Sequence, residues 1–353
     1  MSNDLTLIYF IFSPIIGFLI SYFSIPFIIK IGNKYNLIDK PDIRKRHKKP
    51  TVNIGGISFF LSILPIVIWF LFINYDSQFI LVIAISFIAF LIGLLDDIFK
   101  ISYIYRLILL IILSSIFWYK GIRVENIFFN IGLLKDEVFS IPVTLSFIFN
   151  TIWFGGVTNA INWMDGIDGL ACGASIIILF TFLPFLEISE SYQLTYFCLA
   201  LIGSSIAFLI YNKYPAKIFM GDGGSYFLGY IIASLSILSS TRVIFIDNLE
   251  FGSTLTNILF PLSVLFVPIL DMVCVILKRI SNKKSPFFPD RSHLHHLLQE
   301  KNISISNTVL IILMLVSICS LISFIFVDFK FKILYYFLFM VVLFLIYFYK
   351  KSN

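Results

Sequence analysis

Charge is what this chain has least of. Of 353 residues only 13% are Asp, Glu, Lys or Arg, against 59% hydrophobic, and the mean hydropathy is +0.96. That balance excludes a soluble globular enzyme and describes a polytopic membrane protein. Cysteine is scarce too. Cys172, Cys198, Cys274 and Cys319 stand alone in apolar stretches with no C-x-x-C pair, so they read as reduced thiols with neither a zinc site nor a disulfide implied. No linker, soluble domain or internal repeat is visible, so residues 1–353 read as a single transmembrane domain. What the chain has in excess is phenylalanine, 41 residues, as expected for lipid-facing surface.

Apolar runs of span length predict an all-α polytopic integral membrane protein of about 11 transmembrane helices. They lie at 5–29, 54–73, 79–95, 102–119, 141–158, 167–186, 192–211, 224–239, 255–278, 307–327 and 333–349. The first follows the acidic Asp4 and lacks a small-x-small cleavage site, so it reads as a retained span and not a signal peptide. The net charge of +6 raises the question of nucleic acid, but its distribution answers it. Of the 26 Lys and Arg, 19 fall on one set of alternating connections and six on the other, with Arg106 inside a span. Positive residues favour the cytoplasmic side. The N-terminus is therefore outside and the C-terminus cytoplasmic, with no nucleic-acid partner implied. Alternation in the longest external loop predicts a small β-hairpin over 122–139.

Every chemically loaded motif falls on the cytoplasmic set. Asp39-Lys40-Pro41-Asp42-Ile43-Arg44-Lys45-Arg46-His47 is followed by Gly55-Gly56. Its cations serve as a positive-inside anchor or as a rim for an anionic substrate, with Arg46 and His47 as the phosphate-contacting candidates. Asp96 and Asp97 end the third span, and Lys100 lies about one turn further. Adjacent carboxylates on a helix point about 100° apart, so one can hold a divalent metal while the other takes a proton or orients a phosphate. The alternative is a solvated helix end with an i,i+4 ion pair.

Asn159, Asn162, Asp165 and Asp168 recur every third residue beside Gly166 and Gly169. On a regular helix they share one broad face, and carboxylate in a membrane segment is costly, roughly 2.5–3.5 kcal/mol at a helix centre. Asp and Asn oxygens suit a hard cation such as Mg²⁺; bridging of neighbouring helices is the plainer reading. Phe219-Met220-Gly221-Asp222-Gly223-Gly224-Ser225 precedes the eighth span. Glycine-rich backbone at a helix N-terminus offers N–H groups to phosphate, and Asp222 adds a metal-binding carboxylate. The segment matches neither G-x-x-x-x-G-K-S/T nor G-x-G-x-x-G, which excludes a soluble nucleotide fold. Asp290-Arg291-Ser292-His293-Leu294-His295-His296 holds three of the four histidines. With no thiolate nearby, these imidazoles and Arg291 suit phosphate better than zinc. Asp271, near the cytoplasmic end of the ninth span, is expected to pair with Lys278 or Arg279.

Acidic groups, a glycine turn, cations and histidines on one membrane face fit Mg²⁺-assisted chemistry on a diphosphate, with a lipid as one substrate. Two other classes fit part of the pattern. An intramembrane Mg-dependent prenyltransferase also uses Asp-rich motifs, but with carboxylates about four residues apart and no HLHH loop. A non-enzymatic ion-coupled transporter would place its acids near the midplane, often within inverted repeats.

Taken in order, the motifs resemble those of the polyprenyl-phosphate N-acetylhexosamine-1-phosphate transferases, the superfamily that includes the phospho-MurNAc-pentapeptide translocase. The resemblance runs from the DKPxxRKRH loop to SPFxPDRxHLHH, and the PDRxHxHH form is that of the GlcNAc-1-phosphate branch. It implies transfer of N-acetylhexosamine 1-phosphate, GlcNAc-1-phosphate by preference, from a UDP-N-acetylhexosamine to undecaprenyl phosphate, with release of UMP and initiation of a lipid-linked surface glycan. It implies Mg²⁺, with Mn²⁺ able to substitute, at Asp222 with Asp97 as a second candidate ligand. Asp96 and Asp97 match an aspartate pair, one of which is proposed to deprotonate or position the lipid phosphate, which Lys100 would contact. Asn159, Asn162, Asp165 and Asp168 match the nucleotide and metal site, with Gly221 beside it. Arg291, His293, His295 and His296 would hold the diphosphate or sugar. The expected location is the bacterial cytoplasmic membrane with the site facing the cytoplasm. Apolar helix faces that suit lipid equally suit a homodimer.

Overall fold

The computed structural model describes residues 3–40, 49–73, 76–131, 134–188, 191–242, 256–288 and 290–323. Arg46 and His47, the predicted span 333–349 and the end of span 307–327 lie outside the described residues. The described chain is a helical bundle with two short β-ladders. Its first half runs α1 (Asn3–Lys34), β1 (Ile38–Asp39), β2 (Thr51–Val52), α2 (Ile57–Ile73), α3 (Ser77–Phe99), α4 (Tyr103–Tyr119), β3 (Asn126–Ile131) and β4 (Leu134–Ser140). Its second runs α5 (Val143–Met164), α6 (Leu170–Ile188), α7 (Tyr192–Asn212), α8 (Gly221–Arg242), α9 (Thr256–Val264), α10 (Phe266–Ser281), α11 (Leu294–Glu300) and α12 (Ile305–Ser323).

Four described segments, Tyr9–Lys34, Ser77–Phe99, Tyr192–Asn212 and Ile305–Ser323, are long and apolar enough to cross a membrane. Helices α2, α4 and Leu170–Leu186 of α6 are apolar but shorter. The middle of the bundle is α6, α7 and α8. Helix α8 is buried from Ser225 to Ser239 and packs on α3, α5, α6 and α9. A helix apolar on all sides needs such a place. Around it, α1 to α4 turn Phe12, Phe23, Phe27, Trp69, Phe72, Leu91 and Ile112 outward, as lipid contact requires. Helices α1 and α7 meet backbone to backbone. A Cβ on Gly17 would stand 2.0 Å from the Ala200 carbonyl oxygen, and one on Gly203 the same distance from that of Pro14. Small residues permit this approach where no water drives association.

Two expectations are corrected. The predicted ninth span, 255–278, is two helices that break at Leu265. Pro268 has no N–H for the carbonyl of Val264, and its ring crowds that carbonyl. The cassette from Asn159 to Asp168 is not one helical face. Helix α5 ends at Met164, Asp165 is its C-cap, and α6 begins at Leu170. Gly169, at φ +79°, makes the left-handed step between them, a conformation glycine adopts without Cβ strain.

Ladder β1–β2 pairs Ile38 with Val52 and Asp39 with Thr51. The chain after β2 then runs beside the approach to α8. Phe219 N–H donates to Val52 O at 2.8 Å, Gly55 N–H to Phe219 O at 3.0 Å and Gly56 N–H to Met220 O at 2.9 Å. Strands β3 and β4 are antiparallel, Asn126 opposite Ser140, and join the far ends of α4 and α5. Reading along the chain, the C-termini of α3, α5, α7 and α10 and the N-termini of α2, α4, α6, α8 and α12 share the end of the bundle that carries the motifs.

Candidate active site

The site is built on the first turn of α8. The predicted eighth span began at Gly224; the helix opens earlier, at Gly221, which has φ +73°. Neighbouring glycines let the turn sink into the bundle. A Cβ on Gly56 would lie 2.3 Å from Gly224 N, and one on Gly93 2.3 Å from Asp222 O. This explains the Gly55-Gly56 pair that the sequence left without a task.

Asp97 is committed to this turn. Its Oδ1 accepts from Asp222 N–H and its Oδ2 from Gly223 N–H, both at 3.0 Å, with Asn53 Nδ2 at 3.4 Å. Both carboxylate oxygens therefore satisfy N–H groups at a helix N-terminus, where negative charge is favoured. Asp96, one residue earlier, faces elsewhere and meets Arg106 Nη1. The same nitrogen lies 2.8 Å from Asp222 Oδ2. Asp222 Oδ1 accepts from Asn162 Nδ2 at 2.9 Å, and that amide also reaches Ser225 Oγ at 2.9 Å. Lys100 ends α3 in the left-handed region, φ 54° and ψ 61°, with its backbone N–H on Asp96 O.

The rest of the cassette serves the loops. Asn159 Nδ2 donates within its own helix to Gly155 O at 2.7 Å. Asp168 Oδ2 accepts from Ala216 N–H at 2.9 Å. Gly169 N–H donates to Asn212 Oδ1, and Asn212 Nδ2 donates to Ile218 O at 2.9 Å. Buried Asn212 thus ties the start of α6 to the approach to α8. Asp165 lies in the turn between. Burial first, then the carboxylates of Asp222, Asp97 and Asp168, push its carboxyl well above the usual carboxylate range.

The histidine segment is held by contacts that sequence spacing did not suggest. Asp271 pairs with neither Lys278 nor Arg279. Its Oδ2 lies 2.9 Å from His293 Nδ1, and its Oδ1 accepts from Leu294 N–H at 2.7 Å. Arg279 turns instead to Asp290 at 3.0 Å and Pro286 O at 2.6 Å, with its guanidinium 4.9 Å from the Trp163 ring centre. Burial opposes ionisation of Asp290, but bonds from Arg279 and Ser292 hold it well below the usual range.

Two cavities meet over these residues. The first, about 310 Å³, is lined by Arg106, Asn159, Asn162, Arg279 and His293, with Tyr103 and Phe287 stacked 5.0 Å apart on its wall. The second, about 380 Å³, is lined by Asp97, Lys100, Asp168, Phe219, Gly221 and Asp222. Asp165, Gly166 and His296 border both. A Cβ on Gly166 would stand 2.6 Å from His295 Nε2, so any larger residue here displaces that ring. Arg291 is exposed and lines neither cavity.

Among the described residues, no three His, Cys, Asp or Glu side chains stand together as a preformed metal site. The chemistry of the donors nonetheless fits a hard cation. Carboxylates of Asp97, Asp165 and Asp222 line one cavity with Asp96 close by, and burial first, then Asp222, Asp97 and Asp168, raise the Asp165 carboxyl. Sequence reasoning missed Arg106, Asn53, Asn212, the Arg279–Asp290 pair and the Asp271–His293 contact. Arg106 alone carried a signal, as the one cation inside a predicted span.

Half-buried carboxylates beside a glycine-rich helix start, opening on cavities at the end of an apolar bundle, fit a membrane-embedded phosphotransferase-type enzyme. The glycosyl transferase family 4 profile matches residues 79–240, which include Asp96, Asp97, the cassette and Asp222. A probable undecaprenyl-phosphate N-acetylglucosaminyl 1-phosphate transferase of Bacillus subtilis (strain 168) is 32% identical over 306 residues, 84% of this chain and 80% of that protein. An undecaprenyl-phosphate alpha-N-acetylglucosaminyl 1-phosphate transferase of Thermotoga maritima is 30% identical, covering 80% of each. A phospho-N-acetylmuramoyl-pentapeptide-transferase of Clostridium perfringens is 31% identical over 67% of this chain and 75% of its own length. The chain belongs to the glycosyl transferase family 4 enzymes that transfer a sugar 1-phosphate to a polyprenyl phosphate.

Proposed function

We propose that this enzyme transfers GlcNAc-1-phosphate from UDP-GlcNAc to undecaprenyl phosphate in the bacterial cytoplasmic membrane, with the site facing the cytoplasm. The observation that carries the reading is the pair of cavities that share Asp165, Gly166 and His296, the second of them lined by Asp222, which bring acidic, cationic and imidazole groups to one end of the bundle. Two anionic substrates can lie side by side there, one in each cavity. An oxygen of the lipid phosphate attacks the β-phosphorus of the nucleotide sugar. The new P–O bond forms as the Pβ–O–Pα bridge breaks, and UMP leaves with the bridging oxygen.

A phosphate monoester is largely dianionic near neutral pH, its second pKa being about 6, so the nucleophile needs little help from a base. Positioning and electrostatic stabilisation are the larger effects. Asp222, with Asp96 and Asp165 nearby, would hold Mg²⁺, which supplies charge neutralisation at the diphosphate. Asp97 orients the α8 turn, and Lys100 attracts the acceptor phosphate from the second cavity. Asn162 orients Asp222, and Asp168 holds the loop at Ala216. His295 and His296 contact the sugar phosphate, His293 lines the same cavity, and Arg291, Arg46 and His47 draw in anionic substrate.

The test is UMP release by purified protein in detergent with undecaprenyl phosphate, Mg²⁺ and a panel of UDP-N-acetylhexosamines. UMP should appear with UDP-GlcNAc and depend on the lipid phosphate. Silence with every sugar would refute the reading, and release from another sugar alone would change the donor assignment.

A further inference from the structure

The ring of His293 is fixed by an acid. An ionised carboxylate can only accept, so the 2.9 Å contact to Asp271 Oδ2 puts the hydrogen on Nδ1. The other Asp271 oxygen is anchored by Leu294 N–H at 2.7 Å, so the carboxylate cannot swing away. Trp163 stands edge-on to the ring at 5.5 Å, and His295 stacks on it at 5.5 Å and 9°. The ring is thereby locked in orientation with a hydrogen on Nδ1, so that when it is neutral Nε2 carries the lone pair, and His293 lines the first cavity. The charged and titratable groups around it are Asp271 and Arg279 of α10, His295 and His296 of α11, and Asp290 of the preceding loop.

We infer that Asp271 is a positioning residue that holds His293 with Nδ1–H inward, so that Nε2 offers a lone pair to a hydroxyl or acetamido N–H of the sugar bound in the first cavity. This rests on the donor reading above. It gives His293 the opposite polarity from the phosphate-donating role that the histidine cluster suggests. A second-sphere carboxylate that selects a histidine tautomer is a general device, and misplacing a reacting group by an ångström costs about 10²-fold in rate.

Asp271→Asn separates the possibilities. Its amide oxygen can still accept from Leu294 N–H, while its NH₂ faces Nδ1 and drives the hydrogen to Nε2. We expect kcat/KM for the UDP-sugar to fall about 10²-fold at unchanged melting temperature, and Asp271→Glu to restore most of it. In a His293→Ala background, Asp271→Asn should add nothing. Equal losses in both backgrounds would make Asp271 a structural cap only, and wild-type activity in Asp271→Asn would overturn the acceptor role. Nitrogen NMR of isotope-labelled histidine reads the tautomer without any turnover. Nδ1–H is expected in the wild type and Nε2–H in Asp271→Asn; Nε2–H in the wild type would refute the inference. Full activity in His293→Ala would instead remove the histidine from the donor site.

Discussion

Arg106 Nη1 stands 2.8 Å from Asp222 Oδ2 while also meeting Asp96. One guanidinium from α4 therefore joins the end of α3 to the start of α8. The three side chains are at most 29% exposed, so solvent screens the contact only in part. Replacing Arg106 by Ala leaves two carboxylates facing each other without a cation. The loss of charge-assisted hydrogen bonds should cost about 2 kcal/mol of stability, and loss of a cation that orients Asp222 and lines the first cavity should lower kcat by about 10²-fold. Arg106→Lys should recover charge but not the two-sided contact, and fall between. Thermal unfolding and UMP release on the three proteins check this; Ala equal to wild type in both would remove Arg106 from the site.

The Asp97 carboxylate is occupied by Asp222 N–H and Gly223 N–H, which favours a capping role over a general base. Asp97→Asn turns an NH₂ toward one of those N–H groups, an unmet contact worth about 1–3 kcal/mol. Turnover should drop because Asp222 shifts, yet the acid limb of the pH–rate profile should stay where it is in the wild type. Loss of that limb would restore the base.

How much of this was legible beforehand divides along physical lines. Long apolar runs and the bias of Lys and Arg announce a helical membrane protein, because lipid leaves few other solutions. The five motifs were visible because a polar residue stands out in an apolar chain. What spacing could not supply was the break at Asp165–Gly169, where a three-residue repeat imitates a helix face but Gly169 takes a left-handed turn. Nor could it supply contacts between distant segments. Asp271 lies seven and eight residues before Lys278 and Arg279, near enough to suggest pairing along one helix, yet it bonds His293 across a loop. Arg106 drew notice only as an oddity in a span; its partners are ten and 116 residues away.

Gly93 tests how tightly the α8 turn is seated. A methyl group there would stand 2.3 Å from Asp222 O and 2.6 Å from Gly223 N, both backbone atoms that cannot rotate aside. Gly93→Ala must push α8 away from α3, an overpacking cost of about 1–3 kcal/mol. We expect a lower melting temperature and a rise in the Mg²⁺ concentration needed for half-maximal rate. Gly155→Ala, with nothing within 4 Å of its Cβ, is the control and should resemble the wild type.

Divalent cation should stabilise the protein before any substrate is present. Asp97, Asp165, Asp168 and Asp222 line one cavity, so a divalent cation among these oxygens has several hard ligands in the folded state alone. A ligand that binds only the folded form at 100 times its dissociation constant adds about 2.7 kcal/mol. Purified protein stripped with a chelator should therefore melt earlier, and Mg²⁺ or Mn²⁺ should restore the melting temperature in a saturable way. In Asp222→Asn the saturable shift should vanish, while Asp39→Asn, which leaves the crowded carboxylates in place, should keep it. An undiminished shift in Asp222→Asn would move the cation elsewhere in the cavities.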